Sequence, residues 1–413
     1  MIRLPDYNIP AFSQEAENRS REIWDDIAKP LKGLGAFEDI ISRICGMQDD
    51  VRPDISKRIC VIMCADNGIV SRGVAQAPSA VTRQVADSMS RGLSCVCLMA
   101  AHAGIDTLPV DTGIACADGI EEYDGLTPAI DHHYKLLDRC IARSTKDFLQ
   151  EPAMSEDEFL KALDTGVQLT AQLYDAGYKL ICTGELGIGN TTTSAAVASS
   201  ILRLDPALVT GRGSGLDDAS FTRKKEVISE AISKYSLFDM EASDIVRYVG
   251  GFDIASLMGI FIGGAMHRIP VVIDGVITAS AALAVSRLVP EAVSYMIPSH
   301  QGQEKAMGYI YKDLGFEPVI HAKLKLGEGT GAVSLIPMLD MAKEVYDKMA
   351  RFDDLSIERY VDHGSKDSAA DSAADSAADS PTDSAVESTA DSAADSPVDS
   401  AADSVADSMG GSS

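Results

Sequence analysis

The sequence predicts an α/β protein whose core is a parallel sheet flanked by helices. Three observations predict it. Short, almost wholly apolar runs of strand length recur at residues 58–65, 178–182 and 271–273, and such runs suit strands covered on both faces. Each is followed by a glycine-containing turn and then by a small-residue stretch of helical length. At least three of the strands end in an acid beside glycine, as Asp66-Asn67-Gly68, Gly184-Glu185 and Asp274-Gly275 do. Repeated strand, turn and helix units connect parallel strands through helical crossovers. That topology gathers the acids at one sheet edge, where open α/β sheets hold ligands.

In chain order, residues 11–48 read as helix, opened by Ser13 as a cap and broken by Lys29-Pro30-Leu31-Lys32-Gly33-Leu34-Gly35. No strands lie beside them, so residues 1–50 are assigned to a small helical domain and residues 51–350 to the large α/β domain. The strand at 58–65 delivers Asp66, which reads either as a site residue or as a turn acid capping the next segment. A helix over 80–90 carries Thr82 and Gln84 in its first turns, and a second covers 95–103. Residues 107–113 form a strand and turn. Residues 152–175 form a helix with acids in its first turn. Residues 254–266 and 279–288 are helices, and 295–300 is a short strand and turn ending in Ser299-His300. An isolated histidine such as His300 is more often structural than a ligand. The helix over 333–343 follows a last glycine loop.

The stretch Thr183-Gly184-Glu185-Leu186-Gly187-Ile188-Gly189-Asn190-Thr191-Thr192-Thr193 runs from a strand into a helix. Glycine admits a ligand close to the backbone, and the first-turn N–H groups lack intrahelical partners. The motif reads equally as an anion site and as a tight, capped turn. No Gly-Lys-Ser/Thr closes it, so it is not a P-loop, and its glycine spacing is not the dinucleotide fingerprint. A second glycine loop, Thr210-Gly211-Arg212-Gly213-Ser214-Gly215, precedes Arg223, Lys224 and Lys225, which reads as a phosphate-binding arrangement or as a flexible loop before a basic helix face. Glu185 and Glu328 each sit in a glycine loop before a helix. A carboxylate held off water there can serve as a general base, or be an acid at a helix end stabilised by the dipole. The residues alone point to an enzyme that binds a phosphorylated small molecule and uses a glutamate base. No Ser-His-Asp or Cys-His arrangement and no metal-ligating cluster is apparent, so no metal and no cofactor is expected.

The net charge of −26 argues against nucleic acid as a partner. Part of it sits in a repeat of the Asp-Ser-Ala-Ala type over residues 365–413, which has too little apolar surface to order itself and is expected to be a disordered acidic tail. Five cysteines, Cys60, Cys64, Cys95, Cys97 and Cys182, lie in apolar runs and are expected to be buried, reduced thiols. No basic-then-apolar leader and no apolar run near ~18 residues is seen, so a cytoplasmic protein without membrane contact is expected.

The sequence resembles the nicotinate-nucleotide–dimethylbenzimidazole phosphoribosyltransferase family. The resemblance is carried by Gly184-Glu185-Leu186-Gly187-Ile188-Gly189-Asn190-Thr191-Thr192, Lys29-Pro30 with Leu34-Gly35, Ala65-Asp66-Asn67-Gly68 and Gly250-Gly251-Phe252-Asp253-Ile254-Ala255. Asp274-Gly275, Pro298-Ser299-His300 and Lys325-Leu326-Gly327-Glu328-Gly329-Thr330-Gly331-Ala332 complete it, in the family's order from about residue 10 to 350. It implies a Rossmann-like sheet, a smaller helical domain drawn from distant segments, and a homodimer. It implies transfer of the phosphoribosyl group of nicotinate mononucleotide to a benzimidazole-type base, in the lower-ligand branch of cobalamin synthesis, with inversion at the ribose C1. Glu328 would be the base and Glu185 a second catalytic acid. Gly187, Gly213 and Lys224 would lie near the phosphate and ribose, and Gln84 at the base pocket. Asp66, Asn190, Thr191, Gly211, Asp274, Ser299, His300 and Gly327 complete the implied substrate-binding set.

The chain departs from the family pattern around the base pocket. Asn67 stands where histidine is common, Ala75 where serine is frequent, and Leu31-Lys32 where Pro-Gly is usual. These departures leave the accepted base open, a phenol or a purine included. A nucleotide-binding subunit without its own chemistry, or one needing a paralogous partner, is the alternative.

Overall fold

The structure is a computed structural model that describes residues 2, 4–116, 118, 119, 121–126 and 129–360. The acidic repeat from residue 365 lies outside the described residues. The chain opens with α1 (Gln14–Asp26) and α2 (Ala36–Gln48), then enters the sheet through β1 (Arg58–Ala65). There follow α3 (Ala80–Ser90), α4 (Cys95–His102), β2 (Asp106–Gly113), β3 (Glu122–Tyr123), β4 (Leu136–Asp138) and α5 (Glu156–Asp175). The second half runs β5 (Leu180–Leu186), α6 (Asn190–Leu202), α7 (Pro206–Val209), α8 (Asp218–Tyr235), α9 (Ala242–Val249), α10 (Phe252–Met266) and β6 (Val271–Ile273). It closes with α11 (Val276–Leu288), β7 (Met296–Pro298), α12 (Lys305–Leu314), α13 (Thr330–Lys348) and α14 (Phe352–Leu355).

The seven strands form one sheet in the order β3-β4-β2-β1-β5-β6-β7, all paired in parallel. The chain builds outward from β1 on one side and then returns to β5 on the other. The switch point therefore falls between β1 and β5, and ligands bind at such crevices beside the strand carboxyl ends. β1 is buried over Ile59–Ala65 and β5 over its whole length, as central strands covered by helices must be. Gly187 follows directly on β5, and a Cβ there would run into the Ala65 carbonyl oxygen at the end of β1.

Helices α5 and α10 cover one face and cross at Gly166 and Gly259. A Cβ on Gly166 would clash with the Ser256 carbonyl, and one on Gly259 with that of Leu163. Two glycines that cost each helix about 0.5–1 kcal/mol in propensity thus let the two backbones meet. At the other end of the chain α13 returns to the N-terminal helices, where Trp24 of α1 packs on Tyr346 with ring centroids 4.9 Å apart.

Several boundaries differ from expectation for identifiable reasons. The helix expected from 152 begins at Glu156. Ser155 accepts the Glu158 N–H while the Glu158 carboxylate accepts the Ser155 N–H, and this capping box fixes the start. α13 runs well past 333–343 in both directions, carrying Pro337 inside it. Its buried Val333, Leu335, Ile336 and Leu339 outweigh the lost hydrogen bond. Cys95 is exposed whereas Cys97 is buried, a correction to the expectation for Cys95. Two positions apart on a helix point about 200° apart, so only one of the pair faces the core. The strands β3 and β4, at two and three residues, are too short to leave a periodic signal. Among the described residues no helix is long and apolar enough to cross a membrane.

Replacing Gly166 by alanine is expected to lower unfolding stability by about 1–3 kcal/mol, because the added methyl has only backbone to meet. Urea unfolding of the variant beside wild type measures it, and an unchanged midpoint would contradict the close crossing.

Candidate active site

A cleft of about 1130 Å³, its open mouth included, lies against the carboxyl ends of β5, β6 and β7. Its wall is made by the β5–α6 turn, the 212–216 loop, the segment after β6, residues 300–307 and the loop before α13. Glu185, Gly187, Asn190, Thr191, Gly213, Asp274, His300, Gly327 and Glu328 all line it. The structure thereby brings together nine of the residues singled out from the sequence.

The loop before α13 is held by a single carboxylate. Asp274, at the end of β6, accepts N–H groups from Gly329 (3.1 Å), Gly331 (2.7 Å) and Ala332 (3.0 Å). A fully buried anion is thus seated on a helix N-terminus, where orphan donors and the dipole favour it. Burial nonetheless pushes the Asp274 carboxyl up, opposed by His300 and by those amides. Burial likewise lowers the neighbouring His300, opposed by Asp274. Ser299 fixes the His300 ring through a 2.9 Å contact to Nδ1 and itself donates to the Ile273 carbonyl.

Beside this cap, Gly327, Glu328 and Gly329 all have positive φ, at 85°, 62° and 93°. For Glu328 this is a left-handed conformation that costs of order 1 kcal/mol and more. Glu328 lines the cleft, and its Oε2 is buried without a hydrogen-bond partner. Burial raises its pKa, opposed by the Val96 N–H at the start of α4.

Glu185 sits at the end of β5, in register with Met63. Its carboxylate accepts from the Asn190 side-chain amide, which also donates to Asp253 at 3.3 Å. Asp253, fully buried in the first turn of α10, takes its own second bond from the Ile254 N–H. Asn190 therefore bridges two carboxylates that bury each other from water.

Beside the second glycine loop, Lys224 of α8 is completely buried and donates to Thr191 Oγ1 at 2.9 Å. Burial lowers its pKa to about 8. A Cβ on Gly213 would stand 2.9 Å from Thr191 Oγ1 and 3.7 Å from Lys224 Nζ, so the second glycine loop lies directly over this pair. The Gly213 N–H, however, already donates to Glu304 Oε1 at 3.0 Å.

The remaining sequence candidates lie behind the wall or away from it. Asp66 is buried and braces the site. It accepts from Thr82 Oγ1 at 2.6 Å and from the Ala115 N–H at 2.9 Å, and Thr82 in turn accepts the Ile188 N–H at 3.1 Å. Lys224 touches the wall through Thr191, Ser299 stands behind His300, and Gly211 is covered by Glu304. Gln84 is exposed on α3 and does not line the cleft. Sequence reasoning did not assign Asp253 or Glu304 to the site. Asp253 stood in the Gly250-Gly251-Phe252-Asp253 stretch, a glycine pair before a helix, and that was its signal. Glu304 had none, because only the fold brings α12 to the 210–216 loop. Among the described residues no group of three or more His, Cys, Asp or Glu side chains is placed to hold a metal ion.

Comparison with known proteins identifies related sequences and a related fold. A sequence profile described as phosphoribosyltransferase matches residues 9–357. The nicotinate-nucleotide–dimethylbenzimidazole phosphoribosyltransferase of Clostridium acetobutylicum is 39% identical over 352 residues, covering 85% of this chain and 96% of the relative. The enzyme of the same name from Acetivibrio thermocellus is 37% identical over 81% of this chain and 92% of its own. Among solved structures, CobT from Thermus thermophilus superposes with a TM-score of 0.76 at 29% identity, covering 84% of this chain and all of that one.

Burial, with the charges of Asp253 and Asp274 adding to it, raises Glu185 to about 8, and burial raises Asp253 to about 7. Both carboxyls are then protonated in the folded protein across a range where the unfolded chain has them ionised. Their stabilising contribution is complete below the ordinary carboxylate range, near pH 4, and is lost as pH rises toward 7–8. Stability without ligand is expected to fall over that window by up to about 1.4 kcal/mol per pH unit for each group. Urea titrations at a series of pH values should show Glu185→Gln removing about one proton's share of the slope, and an unchanged slope would contradict it.

Proposed function

This chain belongs to the nicotinate-nucleotide–dimethylbenzimidazole phosphoribosyltransferase family, and from that premise we propose that it transfers the phosphoribosyl group of nicotinate mononucleotide to 5,6-dimethylbenzimidazole or a related base. The products are nicotinate and an α-ribazole 5′-phosphate, in the lower-ligand branch of cobalamin biosynthesis. One imidazole nitrogen of the base attacks the ribose C1 from the α face. The C1–N bond to the pyridinium breaks, and its electron pair returns to the ring nitrogen, which becomes a neutral pyridine nitrogen as nicotinate leaves. The other imidazole nitrogen then carries a proton that must be taken away, and Glu328 takes it.

The observation that carries this reading is the Glu328 carboxylate. It lies in the cleft on a backbone that the Asp274 cap holds in place, with a buried oxygen free of any partner. A base raised by burial and kept within reach of the proton is what the step requires. Glu185, neutral near pH 7, lies on the same wall without adding a second negative charge beside the phosphate. The buried ammonium of Lys224, bonded to a hydroxyl rather than to a carboxylate, is a cation for the phosphate that approaches over Thr191. The apolar wall formed by Leu186, Ile188, Leu216 and Ile277 receives the aromatic base, and Ala75 and Gln76 set which substituents fit there. We place the enzyme in the cytoplasm, where charged nucleotides are retained, and as a homodimer. The packed helices α4 and α13 expose Leu98 and Met341, apolar surface that a second copy would cover, and light scattering tests the pairing.

Glu328→Gln is expected to lower kcat by about 10²–10⁴-fold, with little change in KM for the nucleotide and none in the unfolding midpoint beyond about 1 kcal/mol. Lys224→Met is expected to raise that KM instead. The assay is mass-spectrometric detection of the riboside phosphate and nicotinate with a panel of benzimidazoles, adenine and a phenol. Wild-type turnover by Glu328→Gln would remove the base assignment.

A further inference from the structure

We infer that Glu304 reads the ribose hydroxyls of the phosphoribosyl donor, making it a specificity-determining residue for ribonucleotides. The inference rests on the phosphoribosyl-transfer reading above.

Two observations carry it. The first is that the second glycine loop is shaped around the Glu304 carboxylate. Its Oε1 accepts the Gly213 N–H at 3.0 Å, and its Oε2 lies over Gly211, where a Cβ would collide with it. The carboxylate is therefore fixed at the cleft wall, which Glu304 lines. The second is its neighbourhood. Gly213 stands over Thr191 and Lys224, the cationic place for the phosphate. A carboxylate repels a phosphate and cannot share the N–H donor it occupies. The ligand group next to it must instead donate hydrogen bonds.

On a nucleoside monophosphate the donors nearest the phosphate belong to the sugar. One methylene separates the phosphate oxygen from the ring, so a phosphate at Lys224 and Thr191 leaves the sugar beside Glu304. A carboxylate accepting from a ribose diol is the usual solution to the same recognition problem in dinucleotide-binding folds. Charged acceptors make the stronger hydrogen bonds to hydroxyls. The loop expected to cradle phosphate thus supplies the sugar contact, with the glycines making room for an acid rather than for the ligand.

The test compares nicotinate mononucleotide with its 2′-deoxy and 3′-deoxy analogues, by calorimetric binding and by turnover, in wild type, Glu304→Ala and Glu304→Gln. Wild type should prefer the ribonucleotide over at least one deoxy analogue by at least about tenfold. Glu304→Ala should abolish the preference by losing affinity for the ribonucleotide alone, and Glu304→Gln should keep part of it. A carboxylate that merely braces the loop would weaken all three ligands equally and leave the ratio intact. That result, or a wild type indifferent to the hydroxyls, overturns the inference while leaving the transferase reading untouched. A wild type that binds no nicotinate mononucleotide removes the transferase reading itself, and this inference with it.

Discussion

The site depends on one buried anion. Asp274 leaves the end of β6 and caps α13 through three backbone N–H groups. Burying an ionised carboxylate is costly unless its lone pairs are satisfied. Here three amides and a helix dipole offset that cost. With this cap in place, the turn from Gly327 to Gly329 is held against the sheet and Glu328 faces the cleft. His300 packs beside the same carboxylate, which ties β7 to the arrangement. Because α13 continues to Tyr346 against Trp24, the N-terminal helices are tied through it to the loop that carries Glu328.

A second regularity follows from the same physics. Glycine-rich turns and helix N-termini attract anions, and this chain satisfies several with its own carboxylates. Asp274 fills α13, Glu304 fills the Gly211–Gly213 loop, and Asp66 braces the β5–α6 turn through Thr82. Arg212 and Lys325 line the cleft and Lys224 stands behind Thr191, so the placement of charge, more than its amount, would orient an anionic ligand.

The sheet and its ligand edge were legible because buried strands announce themselves as apolar runs, and the acids after Ala65 and Ile273 follow those runs directly. Glu185 and Glu328 were legible because each lies within a glycine turn that opens a helix. What the sequence hid was set by tertiary contact. Asn190, which bridges Glu185 to Asp253, reaches across 63 positions to do so. Glu304 meets Gly213 across 91 positions. The family resemblance named Lys224 but not its burial, which only the packing of α8 on α6 reveals. Cys95 misled because an apolar run reads as buried throughout, whereas a helix turns every second residue to the other side.

The left-handed backbone at residue 328 sets stability and function against each other. Among the natural residues only glycine occupies that conformation without penalty. Random substitution followed by selection for heat resistance alone would therefore tend to admit glycine there. Such a chain would fold at least as well and lack the proposed base. For the same reason, stabilised versions of this protein are better sought far from the 327–329 turn.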